Sequence, residues 1–246
     1  MIFYFTGTGN SLYAAQKLAD GGEEIVSIVE ALRSKTFHYT LKEGEKLGFV
    51  FPVCFYTVSD PVLELVLHLT VENAGFVYAV IPCGASIGAA GGFLKSELKK
   101  RGLELQRLDA LVVPDGALIF YDIDTPEKME QQLAAATKEL ASIKQAVDRR
   151  EGNRITGSPV LGKVGLAAYH ACMSTKAFYA DSKCVGCGKC ASICPSGAIE
   201  MVGGRPVWTK SKCLKCCGGL GRCPVSAIQY GKKTATRGRY VNPVLK

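Results

Sequence analysis

The sequence predicts an α/β fold built on a parallel sheet, followed by a smaller cysteine-rich domain. Over residues 1–150, apolar runs that suit strands alternate with stretches of helical spacing, a pattern typical of a parallel sheet covered on both faces. Eight of the eleven cysteines fall between Cys184 and Cys223. Because 246 residues exceed one typical domain, we expect a first domain at 1–150, a connector at 151–180 and a second domain at 181–246 that ends in a basic tail.

The elements of the first domain follow from the positions of these runs. Strands are predicted at 2–6, 25–29, 47–53, 76–82 and 110–114, and helices near 12–19, 60–69, 93–101 and 126–149. The last helix begins at Thr125-Pro126-Glu127, which supplies an N-cap, a proline and a first-turn acid. Residues 151–180 show no firm periodicity, and we interpret them as a connector packed across both domains. Proline and glycine interrupt the uncharged stretch 75–94, so no membrane span is predicted.

A dense cysteine motif opens the second domain. Cys184, Cys187, Cys190 and Cys194-Pro195 reproduce the spacing C-x2-C-x2-C-x3-C-P at every position, and this run binds a 4Fe-4S cluster in bacterial ferredoxins. The tight spacing favours thiolate ligands over a disulfide framework, and therefore a reducing, cytoplasmic compartment. It also argues against zinc, whose cysteine pairs are usually separated by a longer insert.

A second block repeats this motif with one departure. Cys213, Cys216 and Cys223 keep their places, but Gly219 occupies the third cysteine position and an extra cysteine stands at Cys217. Three outcomes are open for this second site. Cys217 bends in as the fourth ligand, which we favour narrowly, or the site holds a three-iron cluster, or one iron keeps an open or solvent-derived ligand.

The resemblance to two-cluster bacterial ferredoxins implies a small α+β domain in which the fourth cysteine of each block binds the cluster of the other block. The implied first cluster then has four cysteine ligands: Cys184, Cys187, Cys190 and Cys223. The implied second cluster draws on Cys194, Cys213, Cys216 and, as the uncertain member, Cys217.

The two predicted domains differ in charge. Residues 1–150 carry 15 Lys and Arg against 19 Asp and Glu, a balance of −4, whereas residues 181–246 carry 12 against 2, a balance of +10. Iron-sulfur clusters with four thiolates are anionic, about −2 each when oxidised, so part of the basic excess compensates them. A redox-sensing nucleic-acid binder is not favoured, because no recognition motif accompanies the charge.

The first predicted strand runs into a loop that suits a phosphate. The loop comprises Thr6, Gly7, Thr8, Gly9, Asn10 and Ser11 and precedes a helix, whose N-terminus favours an anion. It is not a Walker loop, because no Gly-Lys-Ser/Thr follows. It is not a full dinucleotide fingerprint either, because Leu12 takes the third glycine position.

On the first strand and turn, this loop resembles the FMN phosphate loop of flavodoxins, and the resemblance covers residues 1–150. It implies a flavodoxin-like, doubly wound parallel sheet that binds FMN at the carboxyl ends of its strands. The flavin ring would lie between the loops 52–59 and 83–92, and Tyr56 is the preferred stacking residue unless it is a core or surface aromatic. The implied contacts are Phe55, Tyr56, Thr57, Cys83 and Gly84. As thiols, Cys54 and Cys83 are isolated at apolar strand ends and are interpreted as core residues, not as metal ligands.

The order of the two domains resembles a family of flavodoxin-ferredoxin fusion proteins of anaerobic bacteria and archaea, and the likeness covers nearly the whole chain except Gly219. It implies an electron carrier in which FMN and two iron-sulfur clusters exchange electrons, with a redox partner that the sequence does not identify. The alternative is a flavin-dependent reductase whose clusters feed electrons to a substrate. No acid, base or nucleophile constellation supports such an enzyme, so no catalytic residue is predicted.

Overall fold

A five-stranded parallel sheet dominates the computed structural model, which describes residues 1–245. The strand order is β2-β1-β3-β4-β5, so the direction of winding reverses between β1 and β3. Ligands of such sheets bind at the carboxyl ends of the strands beside this reversal. The predicted parallel α/β sheet is confirmed, and its order is consistent with a flavodoxin-like core. The strands are β1 Ile2–Tyr4, β2 Ile25–Ser27, β3 His38–Val50, β4 Thr70–Cys83 and β5 Leu105–Val112.

Helices cover both faces of the sheet, as its parallel connections require. One core contains Ile2 and Val80 of the sheet and packs against two helices, and the other contains Phe3 and Ile81 and packs against three. Alternate residues of one strand therefore enter different cores. The first face carries α1 Asn10–Leu18 and α5 Pro126–Asp148, and the second carries α2 Ile28–Ser34, α3 Asp60–His68 and α4 Ala90–Lys99.

Three strands are longer than the sequence predicts. β5 begins at Leu105 instead of residue 110. β3 begins at His38 instead of residue 47, and β4 begins at Thr70 instead of residue 76. The added segments of β3 and β4 pair with each other but are mostly exposed, and a register shift separates Thr40 from Glu45. These segments bury little apolar surface and carry no apolar run. The sequence pattern therefore does not indicate that they are strands.

The predicted connector at 151–180, for which the sequence shows no firm periodicity, contains a helix, α6 Pro159–Ala171. The Ser158 hydroxyl accepts a hydrogen bond from the Leu161 N–H at 3.4 Å, and the following proline occupies the first turn. Only Gly162 and Tyr169 of this helix are buried. Its apolar residues Val160, Leu161 and Val164 are exposed, so its apolar positions do not form a buried stripe.

The C-terminal part consists of small elements. Two antiparallel strand pairs and two four-residue helices surround a third core, in which the rings of Phe178 and Trp208 stack at 5.4 Å. Leu118 and Ile119 from the loop after β5 belong to this core, so it joins the C-terminal part to the sheet. No helix within residues 1–245 is long and apolar enough to cross a bilayer. The elements are β6 Phe178–Ala180, α7 Lys189–Ser192, β7 Ile199–Val202, β8 Arg205–Trp208, α8 Gly218–Gly221 and β9 Ile228–Tyr230.

Candidate functional site

Four thiols from both cysteine blocks line one small cavity with almost entirely apolar walls. They are the four predicted for the first cluster: Cys184, Cys187, Cys190 and Cys223. Met201, Pro206 and Ile228 complete much of the wall. Four thiols around one cavity are an arrangement suited to an iron-sulfur cluster.

Backbone N–H groups point at the cysteine sulfurs in the same way in both blocks. The Ala198 N–H donates to Cys194 Sγ at 3.3 Å, and the Ala227 N–H donates to Cys223 Sγ at 3.2 Å. The Lys215 N–H donates to Cys213 Sγ at 3.4 Å. Such bonds favour the charged thiolate and tune the potential of a cluster that it binds. The internal repeat of the sequence is therefore also a repeat of local structure.

A second group of thiols lies close together at the edge of the sheet. Burial is the main cause that raises the pKa of Cys213, and the nearby charge of Cys194 raises it further. Burial likewise raises the pKa of Cys216 to about 12, with the charges of Cys213, Cys217 and Cys194 as additional causes. Thiols in such surroundings ionise when a cation binds, since the metal displaces the proton.

The extra cysteine of the second block is buried close to the other thiols. Cys217 is 3% exposed, has a φ of 57°, and donates a hydrogen bond from its thiol to the Lys215 carbonyl oxygen at 3.5 Å. Burial is the main cause that raises the pKa of this thiol to about 12, and the charge of Cys213 raises it further. Cys217 packs with Leu118 and Leu220 in the third core.

The predicted phosphate loop forms a tight turn directly before α1. Gly9 has a φ of 103° and donates its N–H to Thr6 Oγ1 at 3.0 Å. No side chain caps α1, so the N–H groups of its first turn are available to an anion. Ser11 is 1% exposed, and its Oγ has no hydrogen-bond partner among residues 1–245. This buried hydroxyl and the uncapped helix fit a phosphate group.

The outer side of this loop is covered by the C-terminal segment and by the second cysteine block. The Asn242 N–H donates to the Thr8 carbonyl oxygen at 2.8 Å, and the Tyr240 hydroxyl donates to Asn10 Oδ1 at 2.6 Å. A Cβ at Gly7 would lie 1.8 Å from the Cys216 carbonyl oxygen, so only glycine fits there. The predicted phosphate loop and a predicted cluster ligand are therefore in direct contact.

The side chains predicted to flank a flavin ring differ in how much they are packed against other residues. Phe55 packs against Tyr169 of α6 with 5.6 Å between ring centroids, and the Thr57 hydroxyl donates to the Gly162 carbonyl oxygen at 2.7 Å. Both side chains are thus used in packing. Tyr56 is 64% exposed, so of these three residues it alone presents a largely free side chain.

The residues after β4 are close to the loop after β5. Cys83 is buried, and its carbonyl oxygen accepts the Val113 N–H at 3.0 Å. A Cβ at Gly84 would lie 2.7 Å from Asp115 Oδ2. Sequence reasoning did not identify Tyr169, Tyr240 or Asn242 as parts of this region. The segment Arg237-Gly238-Arg239-Tyr240 is recognisable in the sequence, but no periodicity indicates where it packs.

Comparison with known proteins identifies the class to which the C-terminal part is similar. The family described as "4Fe-4S binding domain" matches residues 179–200. An uncharacterized ferredoxin of Methanocaldococcus jannaschii is 35% identical over 57 residues, which cover 19% of this chain and 65% of that protein. The chain thus spans less than two thirds of the length of this curated relative. The matches show that residues 179–200 are similar to a 4Fe-4S binding domain and that part of the chain is similar to a ferredoxin.

Proposed function

We propose that the protein is an electron carrier in which FMN in the N-terminal part exchanges electrons with two iron-sulfur clusters in the C-terminal part. The contact between Gly7 of the phosphate loop and the backbone of Cys216 carries this proposal. Electron transfer weakens steeply with distance, so two redox groups held by touching segments are well placed to exchange electrons.

The cysteines divide into two proposed ligand sets. Cys184, Cys187, Cys190 and Cys223, which line one cavity, would hold the first cluster. Cys194, Cys213 and Cys216 would hold the second, with Cys217 as the candidate fourth ligand, since the charges of Cys213, Cys217 and Cys194 all raise the pKa of Cys216. The chain contributes apolar walls and N–H donors to sulfur, which set the potential. All eleven cysteines are free thiols, which fits the expected cytoplasmic compartment.

The flavin part of the proposal rests on the strand order and on the loop from Thr6 to Ser11. The N–H groups of the first turn of α1 and the Ser11 hydroxyl would bind the phosphate. Tyr56 is the side chain free to contact the ring. When bound, FMN would supply two-electron capacity beside one-electron clusters. The proposed organisation is thus the flavodoxin-ferredoxin fusion, with domains at 1–150 and 181–246 joined by 151–180.

The C-terminal segment covers the phosphate loop from outside. Asn10 is hydrogen-bonded to Tyr240, Asn242 and Pro114, and is buried. The carrier is favoured over the reductase because no acid, base or nucleophile constellation in the sequence supports a substrate reaction.

Anaerobic purification with iron and flavin quantified tests the proposal. We expect both cofactors in the wild-type protein, and a weaker affinity for FMN in Ser11→Ala, since the variant loses a buried phosphate donor. Ser142→Ala changes an exposed serine of α5 and should bind FMN normally. Iron without any flavin after incubation with FMN would disprove the flavin part, and protein without iron after reconstitution would disprove the whole proposal.

A further inference from the structure

A group of exposed lysines lies where three segments of the C-terminal part meet. Backbone hydrogen bonds join these segments: the Thr175 N–H donates to the Ser211 carbonyl oxygen at 3.1 Å, and the Gly231 N–H donates to the Ala177 carbonyl oxygen at 2.8 Å. Lysines that are far apart in the chain are thereby brought to one region of the surface. The exposed lysines of these segments, which we call the lysine patch, are Lys176, Lys210, Lys212, Lys232 and Lys233.

The lysine patch has no neighbouring carboxylates to neutralise it. In the part of the chain that the structure describes, none of its five lysines forms a salt bridge. Residues 152–246 carry 15 Lys and Arg against 2 Asp and Glu, a balance of +13. Those two acids bond to neutral groups: Glu200 Oε1 accepts from the Thr209 hydroxyl at 2.8 Å, and Asp181 Oδ2 accepts from Gln229 Nε2 at 3.2 Å. The lysines therefore remain available to a negatively charged partner.

The proposed clusters would offset only part of this positive charge. Two oxidised clusters would contribute about −4 in total. That is much less than the balance of +13 over residues 152–246. We therefore expect the surface around the lysine patch to stay positive when both clusters are bound.

The lysine patch adjoins a proposed ligand of the second cluster. Lys212 directly precedes Cys213, and the Cys213 N–H donates to the Met173 carbonyl oxygen at 2.6 Å, within the same group of joined segments. Electron transfer weakens steeply with distance. A redox protein that binds at the lysine patch would therefore lie close to the second cluster.

We propose that the lysine patch is the docking surface for an acidic electron-transfer protein. One electron passes between the second cluster and the redox centre of this partner, so that one is oxidised as the other is reduced. The inference rests on the proposed function, because it needs a cluster beside the patch. Redox partners often form small interfaces, and complementary charge speeds their association. A nucleic acid would also be attracted to the lysines, but it would not account for their place beside a cluster ligand.

Anaerobic stopped-flow kinetics of the full chain, reconstituted with iron, sulfide and FMN and then reduced, test the proposal. The probes are two oxidised proteins that each accept one electron, an acidic plastocyanin and a basic cytochrome c. With plastocyanin, we expect the second-order rate constant to fall at least about tenfold between about 0.01 M and about 1 M salt, as the screening length shrinks from about 30 Å to about 3 Å. With cytochrome c, it should not fall.

Charge reversal locates the effect on the surface. At about 0.01 M salt, Lys232→Glu/Lys233→Glu should lower the rate constant with plastocyanin by about tenfold, and Lys176→Glu/Lys212→Glu should do the same from the other two segments. Lys95→Glu/Lys99→Glu changes the net charge equally at exposed lysines of α4 and should stay close to the wild-type rate. Iron content should be the same in all three variants and the wild type.

A wild-type rate constant with plastocyanin that does not fall with salt would overturn the proposal, even if a variant fails to fold. Equal rates in the patch variants and the α4 variant would also overturn it. So would patch variants that lose only salt-sensitive binding of single-stranded DNA, or only a dimer formed at low salt, and still reduce plastocyanin at the wild-type rate. A chain that holds no iron would instead refute the proposed function itself.

Discussion

Lys215 lies between two ligand positions of the second cysteine block, and its ammonium group is largely buried. The side chain is 8% exposed, and Nζ lies 3.7 Å from the ring centroid of Tyr230. Within residues 1–245, no carboxylate forms a salt bridge with it. Its positive charge lowers the pKa of Cys213, against the larger effect of burial. A buried cation near the proposed clusters would stabilise their more negative, reduced forms.

We expect Lys215→Met to lower the midpoint potential of the nearer cluster by roughly 50–100 mV, as for one charge removed at short range. Lys215→Arg keeps the charge and should stay near the wild-type value. Lys212→Met removes a charge from an exposed neighbour and serves as the matched control. An EPR-monitored redox titration measures these potentials. Equal potentials in Lys215→Met and the wild type would show that this charge does not act on either cluster.

A second residue-scale prediction concerns the hydroxyl that joins the C-terminal segment to the phosphate loop. The Tyr240 hydroxyl donates to Asn10 Oδ1 at 2.6 Å, and both side chains are buried. Tyr240→Phe leaves this acceptor with one partner fewer, so we expect a loss of about 1–2 kcal/mol in the free energy of unfolding. Urea unfolding measures the loss, with Tyr179→Phe on a largely exposed tyrosine as control. Unchanged stability in Tyr240→Phe would mean that water replaces this bond at no cost.

At the scale of elements, a group of charges joins the end of α1 to β3 and to the end of α5. Asp20 Oδ2 accepts from Lys46 Nζ at 2.8 Å, and Lys144 binds both Asp20 and the Leu18 carbonyl oxygen. Hydrogen bonds from Lys144 and Lys46 lower the pKa of Asp20 to about 2. These charges stabilise the meeting point of three elements whose apolar surfaces already pack together.

The sign of the pH effect follows from this lowered pKa. The carboxylate stabilises the fold fully above its unfolded pKa of about 3.9, and the contribution disappears as the pH falls toward 2. We expect Asp20→Asn to be less stable than wild type at pH 6, with the difference shrinking near pH 2. Because the Asp20 side chain is 52% exposed, salt should weaken the effect. Urea unfolding at both pH values measures it, and Glu130→Gln, at an exposed acid of α5, should show no such trend.

At the scale of the whole molecule, the C-terminal part is attached to the carboxyl edge of the parallel sheet at several points. The Tyr169 hydroxyl donates to the Leu214 carbonyl oxygen at 2.7 Å, and Arg33 Nη2 donates to the Cys194 carbonyl oxygen at 2.8 Å. Arg237 Nη1 donates to the carbonyl oxygens of Leu118 and Ile119 at 2.8 Å and 3.0 Å. The two Arg237 bonds hold the loop after β5 against the C-terminal segment.

We expect Arg237→Ala to lower the free energy of unfolding by about 2–3 kcal/mol, because it leaves two carbonyl groups without their charged donor. The Arg237 side chain is only 10% exposed, so solvent does not readily replace it. Arg149→Ala breaks an ion pair whose side chains are 62% and 48% exposed and should change stability little. Urea unfolding compares the two. Equal losses would show that the attachment at Arg237 contributes no more than a surface ion pair.

Much of this architecture is predictable because it depends on local patterns. The apolar run 76–82 becomes the centre of β4, and Thr125 caps α5 by accepting the Lys128 N–H at 3.4 Å. The polar start of β3 and the helix α6 are not predictable in this way. The start of β3 pairs through its backbone without burying an apolar face, and α6 buries only two of its residues.

The candidate site is likewise predictable from the sequence only in part. Sequence spacing by itself determined which cysteines are suited to iron and which loop is suited to a phosphate, since ligand chemistry and a strand-loop-helix turn are local properties. Only the tertiary structure decided that Gly7 contacts the backbone of Cys216, that Asn242 covers the loop, and that Cys217 packs in the core that contains Leu118. These contacts join segments far apart in the chain, and their geometry depends on how the C-terminal part packs against the edge of the sheet.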